Sequence, residues 1–464
     1  MIRIGFVPSH KAHFDTELAI EIKNRIIKSI SENIKDIELI YPNINITKNG
    51  LVTTEEDSVK LINYFEEKKI NGLIIGTLSF GEEIANLRIA EAFDRLPILV
   101  FGIKEGPFTP DGNRRSDSFC GTISTASGLI RRKINFDFAG IYFPEEEDFL
   151  IDIEKFLKVV SIYKNFIGAR IGIVGGRPIP FETCVFNESS LIEKFRQRVL
   201  PFNMLTLKSD IDESVNKEDV KEIINVIKKS FNFDNVSDSV LQKIASFKYI
   251  LTKYSVENNL SGFGIECWTA MQRQIGISPC ASMGLLTDSG IMTACETDVH
   301  GVLTMLVQYN ASLKKDVPHF IDWTIQNQED ENVFFAWHCG NAPLSLKCPS
   351  CKPQIKSHSL LGEECGYDKS FGTAEFQLKD GIVTISRLTE VDNKFKMLIT
   401  IGETVKDNRI LRGSWKWIKV KDLKKLYRTI IEQGFTHHAS MVYGNQVKEI
   451  SSFCKFAGIE VIIV

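Results

Sequence analysis

The sequence predicts an α/β chain: two doubly wound α/β domains, then a C-terminal α+β domain with an antiparallel, barrel-like β region. Three observations carry that expectation. Apolar runs alternate with amphipathic helical stretches over about the first 165 residues. A second alternation begins at Ala169-Arg-Ile-Gly-Ile-Val. Beyond a boundary at residues 310–317 the pattern turns to β-rich runs. The 464 residues exceed what one core usually holds. The expected domains are therefore 1–165, 166–310 and 311–464.

The elements follow in order. Residues 2–7 form a buried strand, 16–33 carry apolar residues at helical spacing, and 37–41 are strand-like. Residues 55–68 form an amphipathic helix opened by Thr53 or Thr54 as N-cap, with acids in its first turn. Residues 71–77 and 97–101 are continuous apolar runs, as parallel strands covered on both faces require. In the second domain, lysine-rich helical stretches over 217–258 lead to Gly262-Phe-Gly-Ile-Glu-Cys267-Trp268. The third domain carries β-rich runs at 373–378, 382–388 and 395–401, with Lys379-Asp380-Gly381 expected as a hairpin turn. It closes as helix 421–433, strand 439–443, helix 446–457 and strand 459–464.

Composition excludes several classes. Hydrophobic residues make up 43% and charged residues 25%, with a net charge of −3 and both signs well mixed. No basic cluster is interleaved with aromatics, so no nucleic-acid partner is expected. Apolar runs are far too short for a membrane span, and the N-terminus lacks the apolar region and cleavage site of a signal peptide. Ten scattered cysteines then fit reduced thiols in a cytoplasmic protein.

The chemistry concentrates in Thr293-Ala-Cys-Glu296-Thr-Asp298-Val-His-Gly301, Phe320-Ile-Asp322-Trp323, Trp337-His338-Cys339-Gly340 and Thr436-His437-His438-Ala439. Glu296 and Asp322 each follow an apolar segment, where a carboxylate needs a cation or a donor as partner. Two carboxylates with imidazoles suit a divalent metal, and equally suit proton transfer on a bound sugar. An aldose–ketose isomerase needs both. On a strand only one of His437 and His438 faces a given site, and His438 is the expected ligand. His338, in a loop-forming context, is expected to contact substrate, together with Trp268, Asn341 and His437. Asp298 and His300 are placed to orient Glu296. Glu266 reads as a salt-bridge residue. Arg114 and Arg115, in a polar loop, read as solvated or as reaching a neighbouring subunit's site. His10 and His13 follow the first strand, where α/β sheets bind ligands; they also read as turn residues. Gly175-Gly176-Arg177 lacks the third glycine of a dinucleotide fingerprint and reads as a tight turn.

At these residues the chain resembles the L-fucose isomerase and L-arabinose isomerase superfamily, over nearly its whole length. The resemblance rests on residues 294–306 (ACETDVHGVLTML), 320–324 (FIDWT), 335–343 (FAWHCGNAP) and 434–444 (GFTHHASMVYG). It implies a metal-dependent isomerase that interconverts a free aldose, a pentose or 6-deoxyhexose, with its ketose through an enediol. Glu296 and Asp322 would bind a manganese-type divalent ion and act as the acid–base pair, and His438 would complete the metal set. The resemblance also implies a homo-oligomer, trimer or hexamer, with active sites at subunit contacts. The chain is shorter than L-fucose isomerases, so the loops that fit the sugar differ. That keeps open a modified or acidic sugar on the same fold, or a non-catalytic sugar-binding protein.

The family pattern does not require Cys348-Pro-Ser-Cys351. Its spacing is half a zinc site, which Cys365, His358 or Cys339 would complete as a structural zinc; otherwise it is a reduced loop pair.

Overall fold

A computed structural model describes residues 1–233 and 236–464. It divides into two compact units. One comprises Met1–Lys164 and Ser451–Gly458; the other comprises Asn165–Ile450 and Ile459–Val464. Among the described residues no helix is long and apolar enough to cross a membrane.

The first unit is built on five parallel strands, β1 (Ile2–Ser9), β2 (Ile37–Ile40), β3 (Gly72–Thr77), β4 (Ile98–Ile103) and β5 (Asp137–Tyr142), in the order β2-β1-β3-β4-β5. β3 and β4 are buried along their whole length, which explains their unbroken apolar sequence. The helix Glu55–Lys68 starts with a capping box, Thr54 and Asp57 satisfying each other's backbone N–H. Residues 451–458 return to this unit, where Lys455 pairs with Asp137. Gly121, in the helix Ser118–Arg131, admits the Phe80 carbonyl: a Cβ there would lie 1.6 Å from that oxygen. Gly121→Ala is therefore expected to lose about 1–3 kcal/mol of stability, as overpacking does. A thermal or urea unfolding midpoint unchanged from wild type would contradict this.

In the second unit, β6 (Arg170–Val174), β7 (Arg198–Phe202), β8 (Gly262–Ile265) and β9 (Met292–Cys295) form a parallel sheet in the order β7-β6-β8-β9. Beside it stands a nine-stranded mixed sheet. Its strands are β10 (His319–Gln326), β11 (Val333–His338), β12 (Gln354–Ser357), β13 (Phe371–Gln377), β14 (Ile382–Val391), β15 (Lys394–Val405), β16 (Ser414–Val420), β17 (His438–Tyr443) and β18 (Glu460–Ile463). The order is β12-β13-β16-β11-β10-β17-β14-β15-β18, and β15 also pairs with β16. Two neighbours run parallel, β13 with β16 and β15 with β18.

One sequence expectation fails here. Lys379-Asp380-Gly381 is not a hairpin turn, because β13 pairs with β12 and β16 and not with β14. The hairpin joins β14 to β15 at Asp392-Asn393, both with positive φ (53° and 59°). A two-residue turn whose twist matches the strands needs left-handed backbone at both positions, and Asp and Asn tolerate it better than most residues.

The helix Val299–Ala311 links the two sheets of this unit. It is buried on almost every side, so it is apolar nearly all round. Two of its polar residues are spent on the large sheet: Gln308 Nε2 donates to the Thr384 and Ser440 carbonyls, and Thr304 Oγ1 accepts from Leu388 N. Those bonds hold the middle and the C-terminal half of the helix against β14 and β17.

Candidate active site

β9 ends at Cys295, and the chain turns at once through Glu296 (φ 59°) and Thr297 (φ 54°). Two consecutive non-glycine residues in the left-handed region cost roughly 1–2 kcal/mol each, and such strain persists only where the surroundings over-determine it. Here they do. Asp298 N donates to the Cys295 carbonyl, Thr297 N to Ile265 O, and the turn lies against Gly264, where a Cβ would stand 2.9 Å from the Thr297 backbone. The result buries Glu296 at 6% exposure with its carboxylate aimed across the end of the small sheet.

Two strands of the large sheet supply what it faces. Asp322 on β10 lies directly opposite His438 on β17 in antiparallel register, so both side chains project from the same face. His438 Nε2 stands 3.3 Å from Glu296 Oε2 and 3.7 Å from Asp322 Oδ1. His438 Nε2 and Asp322 Oδ1 are buried atoms with no hydrogen-bond partner. Buried polar atoms are nearly always satisfied, so two such orphans facing a third donor call for a missing ligand. Donors about 2.1 Å from a shared ion stand roughly 3–3.5 Å apart, close to the separations here. Ligand atoms of Asp322, His338 and His438 lie within 4.8 Å of one another, as do those of Cys184, Glu296 and His438, so His438 with the carboxylate on either side of it offers donors that suit a divalent cation.

The orientation of His438 is fixed from behind. Its Nδ1 donates to Asp298 Oδ2 over 2.9 Å, since a carboxylate only accepts; this leaves Nε2 facing into the site. Asp298 caps the helix Val299–Ala311 by accepting from Gly301 N (2.8 Å), and it takes a two-pronged ion pair from Arg387 on β14. Both members of that pair are 1% exposed.

Electrostatics separate the two acids. Burial works against the charge on Glu296, but hydrogen bonds and positive charge from His437 and His438 outweigh it and lower its pKa. For Asp322 burial wins, and the carboxyl is pushed up to about 6. Burial also disfavours the Asp298 charge, yet Arg387 and His438 hold it well below the usual carboxylate range. Burial opposes protonation of His438 too, but Asp298, Cys184 and Glu296 raise its pKa well above the ordinary value. Two carboxyls with opposed shifts in one cleft are the arrangement that acid–base chemistry uses.

The remaining expected residues divide. His437 precedes β17, so strand alternation does not bind it; both imidazoles approach Glu296, His437 at 3.7 Å and 41% exposed. The expectation that only one faces the site is corrected on that ground. His338 is buried against Phe320 and His438 and falls in one ligand-distance group with Asp322 and His438. Its Nδ1 accepts from Cys339 N, which puts the ring proton on Nε2. Trp268 lies edge-on to Phe181, whose ring in turn faces His437, so an aromatic wall runs outward from the carboxylates. Asn341 is buried, with its amide on Cys295 Sγ under the Glu296 turn. His300 faces Glu390 and Phe395 instead of Glu296, and Asp298 orients His438 instead of Glu296. Glu266 accepts from Gly176 N, so the Gly175-Gly176 turn is closed on its own chain. In the first unit, His10 is held by Ser79 and Thr16, Arg114 pairs with Asp117, and Arg115 with Asp15.

Cys348 and Cys351 form a disulfide, in place of half a zinc site. Cys365 is a free thiol, His358 Nδ1 accepts from Leu360 N and Leu361 N, and neither falls in a ligand group with the pair. A sulfur already bonded to sulfur has no thiolate to give a metal.

Sequence reasoning missed Cys184, Phe181 and Arg387. Nothing local marks them: Phe181 and Cys184 flank and end the one-turn helix Glu182–Cys184, and an arginine within a strand reads as a solvent-facing residue.

Residues 5–167 match the family model described as fucose/sulfoquinovose isomerase, N-terminal domain, and residues 336–464 match the L-fucose isomerase C-terminal domain. The chain is similar to the sulfoquinovose isomerase of Priestia aryabhattai, 22% identical over 456 residues that cover 98% of this chain and 97% of that protein. It is also similar to the sulfoquinovose isomerases of Alkalicoccus urumqiensis, 24% identical over 81% of this chain and 82% of that protein, and of Clostridium sp. (strain MSTE9), 22% identical over 84% and 85%.

Proposed function

The chain belongs to the L-fucose isomerase-like family of aldose–ketose isomerases, and from that premise we propose that its substrate is an acidic sugar of the sulfoquinovose kind. We further propose that Glu296, Asp322 and His438 hold a manganese-type divalent ion. One observation carries the second proposal: His438 Nε2, buried and unpartnered, stands 3.3 Å from Glu296 Oε2 on one side and 3.7 Å from the equally unpartnered Asp322 Oδ1 on the other. The names and coverage of the relatives support the first, and put the acidic sugar ahead of the pentose or 6-deoxyhexose that the motifs alone suggest. The homo-oligomer and the barrel are part of the same reading, the latter supported by the pairing of β15 with both β14 and β16.

A bound divalent ion would supply a grip on the sugar oxygens and polarise the carbonyl. The chain's own residues then move the protons. Glu296, held ionised, takes the proton from the carbon next to the carbonyl and returns it to the carbonyl carbon. Asp322 relays a proton between the neighbouring hydroxyl and the carbonyl oxygen, by way of an enediol. His338 offers its Nε2–H to a sugar oxygen. Trp268 and Phe181 pack on the apolar face of the sugar, His437 borders its polar edge, and Asn341 supports the turn that carries Glu296.

The test is ketose formation by chelator-stripped protein, with and without manganese, from sulfoquinovose, L-fucose, L-arabinose, D-arabinose and D-galactose. Restoration by manganese with sulfoquinovose as the best substrate is the expected result. Full turnover without any metal would remove the ion from the reading, and a neutral sugar turned over faster would remove the acidic substrate.

A further inference from the structure

We propose that His358 is a substrate contact: its Nε2–H receives the acidic group at the end of the sugar remote from the carbonyl, and so sets the preference for an acidic over a neutral sugar. The assignment rests on the acidic-sugar reading and adds to it the residue that recognises the acid.

His358 follows β12 directly, and its own loop fixes it. Its backbone N donates to Ser370 O over 2.8 Å, and Gly362 N donates to its carbonyl over 3.0 Å. Its Nδ1 accepts from Leu360 N and Leu361 N, each at 3.2 Å, so the ring proton sits on Nε2. Burial, and then the Arg412 guanidinium, push its pKa down to about 4, so the ring stays neutral and Nε2 only donates. The residue is 3% exposed, and among the described residues nothing accepts from Nε2.

The ring ends a run of aromatic contacts that begins at the carboxylates. His437 stands 3.7 Å from Glu296, and its ring centre is 5.9 Å from that of Phe181. Phe181 lies 5.4 Å from Trp268, and Trp268 meets His358 edge-on at 6.0 Å and 87°. Burial and the neighbouring imidazoles, His358 among them, hold the His338 pKa well below its ordinary value, so both histidines belong to one cluster. They are also built alike, each spending Nδ1 on nearby backbone N–H and keeping its proton on Nε2. A sugar whose carbonyl end lies at Glu296 and whose apolar face lies on Phe181 and Trp268 carries its far substituent toward His358.

The plainer account makes His358 a loop anchor, as its Nδ1 bonds show it to be. An anchor needs only that acceptor, and the account leaves a donor inside the protein unpaired, which is costly. A sulfonate only accepts, so a neutral ring that only donates matches it, and a hydrogen bond to an ionised acceptor is among the stronger ones. Arg412 is the cation nearby, but its fork is held by both carboxylate oxygens of Glu375. The imidazole, and not a free cation, therefore makes the contact.

The test compares kcat/KM of manganese-loaded, full-length protein for sulfoquinovose and for D-quinovose, the same sugar with hydrogen in place of the sulfonate. His358→Asn keeps an acceptor at the level of Nδ1 for the loop amides but has no donor that reaches as far as Nε2. It is expected to lose about 10- to 100-fold on sulfoquinovose, the worth of a hydrogen bond to a charged group, and far less on D-quinovose. His358→Gln, whose longer amide can still donate there, should recover part of the preference. Where neither sugar is turned over, the Kd of each, by calorimetry, carries the same comparison. A crystal structure of wild type with sulfoquinovose stands even if the variants fold poorly: the sulfonate should lie within hydrogen-bond distance of His358 Nε2. An equal loss on both sugars, an unchanged preference in His358→Asn, or a sulfonate bound elsewhere would overturn the assignment and leave the acidic-sugar reading standing. Wild type that does not prefer sulfoquinovose to D-quinovose would overturn both.

Discussion

Glu296→Gln is expected to lower turnover by about 10²- to 10⁴-fold, the usual worth of a positioned general base, with the fold intact. Glutamine keeps the shape of the side chain and the buried turn, so the unfolding midpoint should move little. It loses the charge that His437 and His438 stabilise, and with it the lone pair that accepts a proton from carbon. The measurement is kcat at saturating manganese, with metal occupancy determined on the same sample, so that a lost ligand and a lost base are told apart. A variant that binds manganese and keeps turnover within a few-fold of wild type would exclude Glu296 as the base.

Arg387→Met should be the most destabilising single change near the site. It leaves the Asp298 carboxylate, 1% exposed, without its ion-pair partner, and stranding one member of a buried pair costs about 3–5 kcal/mol. A second effect follows through His438. With Asp298 no longer held, the imidazole loses the acceptor that sets its tautomer, and metal affinity should drop by about 10- to 100-fold. Urea unfolding and manganese titration read the two effects separately. The double variant Arg387→Met with Asp298→Asn should recover stability, because both charges go together, but not affinity, because the amide is a poorer acceptor for Nδ1–H. Wild-type stability in Arg387→Met alone would show that Asp298 finds its charge balance elsewhere.

Much of this molecule was legible in the chain. Continuous apolar runs such as 71–77 and 97–101 mark parallel strands because a strand covered on both faces has no polar side to show. Glu296 and Asp322 stood out because ionisable groups at the ends of apolar strands need partners, and the histidine motifs named the partners' type. What could not be read is everything set by pairing at long range. Lys379-Asp380-Gly381 carries the Asp-Gly pair of a hairpin turn, while the positive φ that a tight hairpin needs is met by Asp392-Asn393. The Cys348-x-x-Cys351 spacing suits a disulfide as well as half a zinc site, and spacing alone does not say which.

The sequence by itself determined the parallel α/β beginnings, the family resemblance and the residue types of the site. Only the tertiary structure decided that Asp298 serves His438 and not Glu296, that Arg387 balances Asp298 from a strand remote in sequence, and that Cys184 stands against the carboxylate. The physical reason is common to all three. Periodicity and composition record whether a side chain is buried, but the cost of burying a charge is met by whichever group the topology brings within about 3–4 Å, and that distance is not written in any one segment.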